Sequence, residues 1–341
     1  MRIGLLYPAQ PTSNFDVAKG YAAAFRKLGH RVKEIEYHKL FMMWSEYYRF
    51  FGLIQGVEEY SYTDEDIIKS ASINAIIKIM EDAPDLVVVI DGTNFHPAGW
   101  FWITKLQQLS NTKVVIVGTE SPYQDRGVAL VSQYADVAYT NERTSSERTG
   151  IKYLPTAYSQ LKHYPTTVPD TLRHDVVFIG SGFQERIEML SGVNWDGIDF
   201  AMWGHYPIDH DHPLAPYYKG AQIPNERAAI MYSGAKISLN LNRTSVDYDG
   251  EMHIPEAESM SPRAYEIPAC GGFMISEYRP EVLDIFGDMV PVFRTSEELE
   301  HRIRYWLDRE EERRELADRM RTCVHGHSYT DRAKVILQDI A

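Results

Sequence analysis

Residues 2–7 (RIGLLY), 85–90 (DLVVVI), 113–118 (KVVIVG) and 175–179 (DVVFI) are short apolar runs with no polar alternation, and each is followed by turn-forming residues and then a helix-length segment. Strands that read this way are buried on both faces, which happens in parallel sheets covered by helices on either side. A helix over 15–28 and an alternating strand over 31–36 complete a first parallel βαβ unit. The pattern continues through a helix at 64–81, the strand at 85–90, a helix at 100–109 and the strand at 113–118, then strands at 136–140 and 151–154 around a helix at 142–149. A polar stretch rich in proline and threonine, 160–173, interrupts it. It restarts with strands at 175–179, 199–204 and 236–241 and a helix at 225–233. At 341 residues the chain exceeds the usual span of one core, so an α/β protein of two domains is expected, 1–165 and 174–341, with the last helix free to pack back on the first.

The carboxyl ends of such strands are where ligands are held. The first loop, PAQPTSN after Tyr7, has proline where a G-x-G-x-x-G fingerprint needs glycine, so it is not a dinucleotide loop. Asp91 follows the strand at 85–90 and is either a general base or a cap for the next loop. His96, in the same loop, competes for the role of base, and Glu120 sits just past the strand at 113–118. Residues 40–62, with Trp44, Tyr47, Tyr48, Phe50 and Phe51, read as irregular: a flap or helix packed on its own domain, or a wall for a second substrate.

In the second half, GSGFQER after the strand at 175–179 has Gly180 and Gly182 at the mouth of a helix but lacks the G-K-S/T of a P-loop. Its amides, with Ser181 and Arg186, suit a diphosphate, and a plain strand-to-helix turn would need the same glycines. His205, His210 and His212 with Asp209 and Asp211 form either a metal cluster or a solvated loop, and they lack a helical H-x-x-x-H frame. Asn240, Asn242 and Arg243 lie at the end of the strand at 236–241. The richest stretch is 258–276, ESMSPRAYEIPACGGFMIS. Pro262 belongs in a first helical turn, with Ser259 or Ser261 as its cap, which leaves Glu258 in the preceding loop and Arg263 and Glu266 on the helix. Cys270 and Gly271 end that helix before a buried strand at 272–275. A single long charged helix is expected over 297–319 and a final one near the C-terminus.

The formal net charge of −13 argues against a partner tracked by its phosphate backbone. Two cysteines, Cys270 and Cys323, are too few for a disulfide scaffold. The N-terminus turns polar too early for a signal peptide, and no apolar run is long enough to span a bilayer, so a cytoplasmic protein is expected.

The ordered motifs TESPYQDRG, YADVAYTNE, YLPTAY, DVVFIGSGFQER, GAKISLNLNR, SPRAYEIPACGGFMISE and HSYTDRA resemble the CgeB-like (spore maturation protein) group of GT-B glycosyltransferases over most of the chain. The resemblance implies two Rossmann-like domains facing across a cleft, with the nucleotide-sugar donor held by the C-terminal one and the acceptor by the N-terminal one. It implies no metal or other cofactor. Carried over residue by residue, Glu266 matches the acid that bonds the donor ribose, Glu258 the sugar-proximal acid and Arg263 a diphosphate ligand. Gly180, Ser181 and Arg186 match the loop after the first strand of the donor domain, and Asn240 and Asn242 its polar strand end. The chain departs from the better known retaining enzymes by having Ser259-Met260-Ser261 where they carry a Phe-Gly pair. The expected activity is transfer of a hexose or related sugar from a nucleoside diphosphate to a hydroxyl, with Asp91 and His96 as candidate bases. A non-catalytic nucleotide-sugar or glycan-binding module, an epimerase and a DNA-modifying transferase are the alternatives.

Overall fold

The computed structural model describes residues 1–8, 14–54, 62–245 and 256–341, and of residues 51–54 the backbone alone. The chain divides into two compact units, Met1–Leu154 with Tyr329–Ala341, and Pro155–Ser328.

In the first unit β1 (Arg2–Leu6), β2 (Arg31–Ile35), β3 (Leu86–Ile90), β4 (Lys113–Val117), β5 (Val137–Thr140) and β6 (Lys152–Tyr153) form one parallel sheet in the order β2-β1-β3-β4-β5-β6. All five residues of β3 are fully buried, as its unbroken apolar run requires. The connecting helices are α1 (Asn14–Lys27), α2 (Tyr37–Ile54), α3 (Asp64–Met80), α4 (Pro97–Ser110), α5 (Asp125–Ser132) and α6 (Arg143–Thr149). The aromatic segment expected to be irregular is therefore helical through Ile54, while residues 55–61 lie outside the described part. Tyr37 Oη and Tyr48 Oη reach Ser72 Oγ and Ser70 Oγ at 2.8 and 2.9 Å, so α2 packs on α3 of its own unit. The helix α5 escapes sequence pattern because it is barely two turns long.

The second unit holds β7 (Val176–Ile179), β8 (Phe200–Trp203), β9 (Ile237–Asn240), β10 (Met274–Glu277) and β11 (Val292–Phe293), again all parallel, in the order β11-β10-β9-β7-β8. Its helices are α7 (Gln184–Ser191), α8 (Asn225–Gly234), α9 (Arg263–Ala269), α10 (Pro280–Phe286), α11 (Ser296–Leu307) and α12 (Glu310–Cys323). The single helix expected over 297–319 is two helices. Asp308 and Arg309 break it, and Arg313 Nη1 folds back to donate to Leu307 O at 2.8 Å, satisfying a carbonyl that the break frees.

The stretch at 258–276 also differs in detail. Pro262 is itself the cap residue of α9, with no side-chain cap, because Ser261 Oγ donates instead to Asn240 Oδ1 at 2.8 Å. The far end is a Schellman turn: Gly271 N–H donates to Pro268 O and Gly272 N–H to Ile267 O, with Gly271 at φ +75°. The turn uses Gly272 and Phe273, so β10 starts at Met274, two residues later than the apolar pattern suggests.

The last helix, α13 (Tyr329–Asp339), belongs to the first unit. Its Tyr329 ring lies flat on Gly20 of α1, where a Cβ would come within 2.3 Å. Asp339 accepts from Tyr139 Oη at 2.7 Å and from Lys152 Nζ at 2.9 Å.

Candidate functional site

In the second unit the chain order reverses at β7, with β8 on one side of it and β9 on the other. Open parallel sheets bind ligands at the carboxyl ends of the strands that flank such a reversal. Two arginines converge there. Arg186, one turn into α7 and buried, donates from Nη1 to Ser181 O at 3.0 Å, from Nε to Asn242 O at 3.0 Å and from Nη2 to Leu241 O at 3.1 Å. It thus ties the loop after β7 to the loop after β9. Arg263, the first residue of α9, donates from Nε to Ile179 O at 2.8 Å and from Nη1 to Asn240 Oδ1 and Leu241 O, both at 3.3 Å. Both guanidinium groups lie over the Phe178 ring, 5.8 and 5.1 Å from its centroid. A Cβ on Gly180 would stand 2.6 Å from Arg263 Nη2, so the glycine admits the guanidinium.

The structure therefore brings together six of the sequence-derived candidates: Gly180, Ser181, Arg186, Asn240, Asn242 and Arg263. Several are committed to the protein. Gly180 N–H donates to Trp203 O and Gly182 N–H to His205 O, so these two amides serve the packing of the loop. Asn240 is fully buried, with Nδ2 donating to Ser276 Oγ and Oδ1 accepting from Ser261 and Arg263. The main-chain N–H of Asn242 donates to Glu277 Oε2 at 2.7 Å. Burial raises the Glu277 carboxyl above its ordinary range, against the opposing pull of the Asn242 amide and of Arg279 and Arg186.

Glu266 lies one turn beyond Arg263 on α9. Its side chain is 12% exposed, and among the described residues its carboxylate receives no hydrogen bond. His163 Nε2 lies 3.8 Å from its Oε1. Glu258 is half-buried in the loop before α9, and two residues at the start of α10 pin that loop. Arg279 Nη1 donates to Ala257 O, and Glu281 Oε2 accepts from Met260 N–H at 2.6 Å. Glu258 O accepts from Glu281 N–H at 3.2 Å.

The first unit has its own reversal, between β1 and β3, and Asp91 is the residue that follows β3 there. It is 5% exposed and its Oδ1 has no hydrogen-bond partner among the described residues. Oδ2 is 3.4 Å from Thr93 Oγ1, which is nearer to Gln124 Oε1 at 2.9 Å. Burial, reinforced by the charge of Glu120, raises the Asp91 carboxyl from 3.8 to about 6. His96 caps α4: its Nδ1 accepts from Ala98 N–H at 3.0 Å, and its Nε2 is 3.6 Å from Glu65 Oε1.

Of the histidine loop, His210 and Asp211 are fully solvated and His212 Nδ1 accepts from Leu214 N–H. Among the described residues no group of three His, Cys, Asp or Glu side chains could hold a metal ion. No described helix is long and apolar enough to cross a membrane.

Two residues of this region escape the sequence reading. Glu277 ends β10, and the same acid-after-strand signal that marks Asp91 would have found it. His163 sits in the proline- and threonine-rich stretch, where nothing in the pattern distinguishes it.

The fold and the paired strand-end sites define a protein of the GT-B fold, with two Rossmann-like domains. Residues 184–338 match the Glycosyl transferase-like family. The chain is similar to an alpha-glucosyltransferase (AGT) solved in complex with UDP, at TM-score 0.66 and 12% identity over 100% of this chain and 99% of that one. It is also similar to the UDP-GlcNAc 2-epimerase from Neisseria meningitidis bound to UDP-GlcNAc, at TM-score 0.55 and 12% identity over 99% of each chain. A third likeness is to OtsA in its apo form, at TM-score 0.58 and 10% identity over 99% of this chain and 98% of that one. At these identities the likeness is one of fold. No curated protein sequence matches the chain significantly.

Proposed function

We propose that this chain is a glycosyltransferase that moves a sugar, a hexose or a close relative, from a nucleoside diphosphate to a hydroxyl acceptor. The observation that carries the reading is Glu266: a nearly buried carboxylate that receives no hydrogen bond among the described residues, one turn from Arg263, on the helix that starts at the β7/β9 strand ends. Leaving a buried acceptor unsatisfied costs about 1–3 kcal/mol, more for a charge, unless a ligand satisfies it. A ribose offers two adjacent hydroxyls to a carboxylate. The Glycosyl transferase-like match over 184–338 and the UDP and UDP-GlcNAc bound by the two similar structures support the same ligand class. The resemblance of its motifs to the CgeB-like group supports the same reading.

In this reading Glu266 bonds the donor ribose and Glu258 the sugar. Arg263 faces the diphosphate, and Arg186 holds the loops of Ser181, Leu241 and Asn242 in register around it. Charge builds on the diphosphate as the bond from the anomeric carbon to the phosphate oxygen breaks, and a fixed guanidinium offsets it without reorganisation. Asp91, in the first unit, is the candidate base for the acceptor hydroxyl, the role that an inverting transfer would require. Its unpaired Oδ1 suits it better than His96, whose Nδ1 is occupied by the Ala98 amide. The chemistry proceeds without a metal, in the cytoplasm.

An epimerase is the second reading, since the UDP-GlcNAc 2-epimerase shares the fold. The two separate in one assay. A transferase consumes nucleotide sugar at an appreciable rate only with acceptor present, whereas an epimerase rearranges it alone. Nucleotide sugars should bind wild type, and Glu266→Ala should weaken that binding at least ten-fold by calorimetry, the size of one lost charge-assisted contact of about 1.4 kcal/mol or more. Unchanged affinity would remove Glu266 from the donor site.

A further inference from the structure

The Glu266 carboxylate has a companion that the donor-binding reading leaves unused. His163 is 3% exposed and comes from the segment that opens the second unit, a hundred residues before the start of α9 in sequence. Its Nδ1 accepts a hydrogen bond from the main-chain N–H of Ser159 at 3.1 Å, and the main-chain N–H of His163 donates to Ser159 O at 2.8 Å. An imidazole nitrogen that accepts carries no proton, so the ring hydrogen is on Nε2. That nitrogen is buried and has no hydrogen-bond partner among the described residues, and it approaches Glu266 Oε1 at 3.8 Å. A buried N–H left unpaired is unfavourable by roughly 1–3 kcal/mol. The distance exceeds an N–H···O bond by about 0.8 Å, within reach of a small turn of the glutamate side chain.

We propose that His163 is the positioning residue of Glu266. The Ser159 amide fixes the ring tautomer, and the Nε2–H then holds one carboxylate oxygen so that the other faces the ribose hydroxyls. The inference rests on Glu266 being the ribose ligand. A neutral donor suits the task, because protonating Nδ1 would set its hydrogen against the Ser159 N–H and break the contact that orients the ring. The histidine is thus an orienting N–H for a charge that the ligand shares.

The test uses the full chain and calorimetric titration with UDP, GDP and ADP, alongside thermal melts. His163→Leu should weaken the best-binding of the three about ten-fold, the effect of one charge-assisted hydrogen bond, whereas His163→Gln, which offers an N–H at similar reach, keeps most of the affinity. In turnover with the matching nucleotide sugar the loss should fall on the donor KM, with kcat unchanged. In a Glu266→Ala background His163→Leu should add nothing. Ring-nitrogen NMR of wild type should show the Nε2–H tautomer. If Glu266→Ala weakens nucleotide binding and both His163 variants bind like wild type, the positioning role is overturned while the donor-site reading stands. Equal losses in His163→Leu and His163→Gln, or additive losses with Glu266→Ala, overturn it as well. If Glu266→Ala leaves binding unchanged, or none of the three nucleotides binds wild type, the donor-site reading itself fails.

Discussion

Asp91 adopts φ +68°, a left-handed conformation that costs most side chains strain and that aspartate tolerates better than most. The turn puts its carboxyl under cover with one oxygen unpaired, and its acidity shifts up to about 6. The folded state therefore holds the proton where the unfolded chain, near 3.8, has lost it, so this residue's contribution to stability falls as pH rises from about 4 to about 6. Above that window the ionised group is a net cost. Asp91→Asn should gain stability at pH 8, on the order of 2–3 kcal/mol, with little gain at pH 4, as denaturant titrations at the two values would show. If Asp91 is the base, kcat/KM of wild type should rise through an inflection near pH 6, and the Asn variant should lose both the inflection and most of the rate. A stabilised variant that stays fully active would remove Asp91 from the chemistry. The residue's place at a strand end is legible in DLVVVID alone. Its burial and raised acidity are not, because these depend on elements distant in sequence, Glu120 among them, closing around it.

The helix α9 shows where pattern reading stops. Pro262, Pro268 and the Gly271-Gly272 pair fix its two ends locally, and these are readable from residue type. The serines before it are not, because Ser261 is drawn off by Asn240 from another strand. The same holds for Arg186 and Arg263, which look alike in sequence and each donate three hydrogen bonds to the protein, yet differ in burial. Arg186 is buried and caps three main-chain carbonyls of two loops, whereas Arg263 is only half-buried at the strand ends. Arg186→Ala should therefore lower the melting temperature, with a stability loss of about 3 kcal/mol or more, since it leaves buried carbonyls unpaired. Arg263→Ala should fall chiefly on nucleoside diphosphate affinity and kcat. Comparable thermal losses in both would contradict that division. The break between α11 and α12 is a further long-range effect, since the charged run WLDREEERR has helical propensity throughout and only Arg313 turning back on Leu307 marks the gap.

At the scale of the whole molecule, two parallel sheets follow one another in sequence, each with a chain reversal and each with functional candidates at the strand ends beside it. That much is visible in the alternation of apolar runs and helices. The return of α13 to the first unit rests on a fit between Tyr329 and Gly20 that no local signal announces. Gly20→Leu should expel that ring and destabilise the protein by about 1–3 kcal/mol, read as a lowered melting temperature. The central claim, a nucleotide-sugar donor held by Glu266 and Arg263 in the second unit, is tested most directly by a thermal-shift panel of nucleoside diphosphate sugars on wild type, Glu266→Ala and Arg263→Ala. The account expects at least one sugar nucleotide to raise the wild-type melting temperature, since a ligand that binds only the folded state stabilises it by mass action, and expects both variants to lose that rise. A panel that leaves wild type unmoved, or that stabilises all three proteins equally, would contradict it.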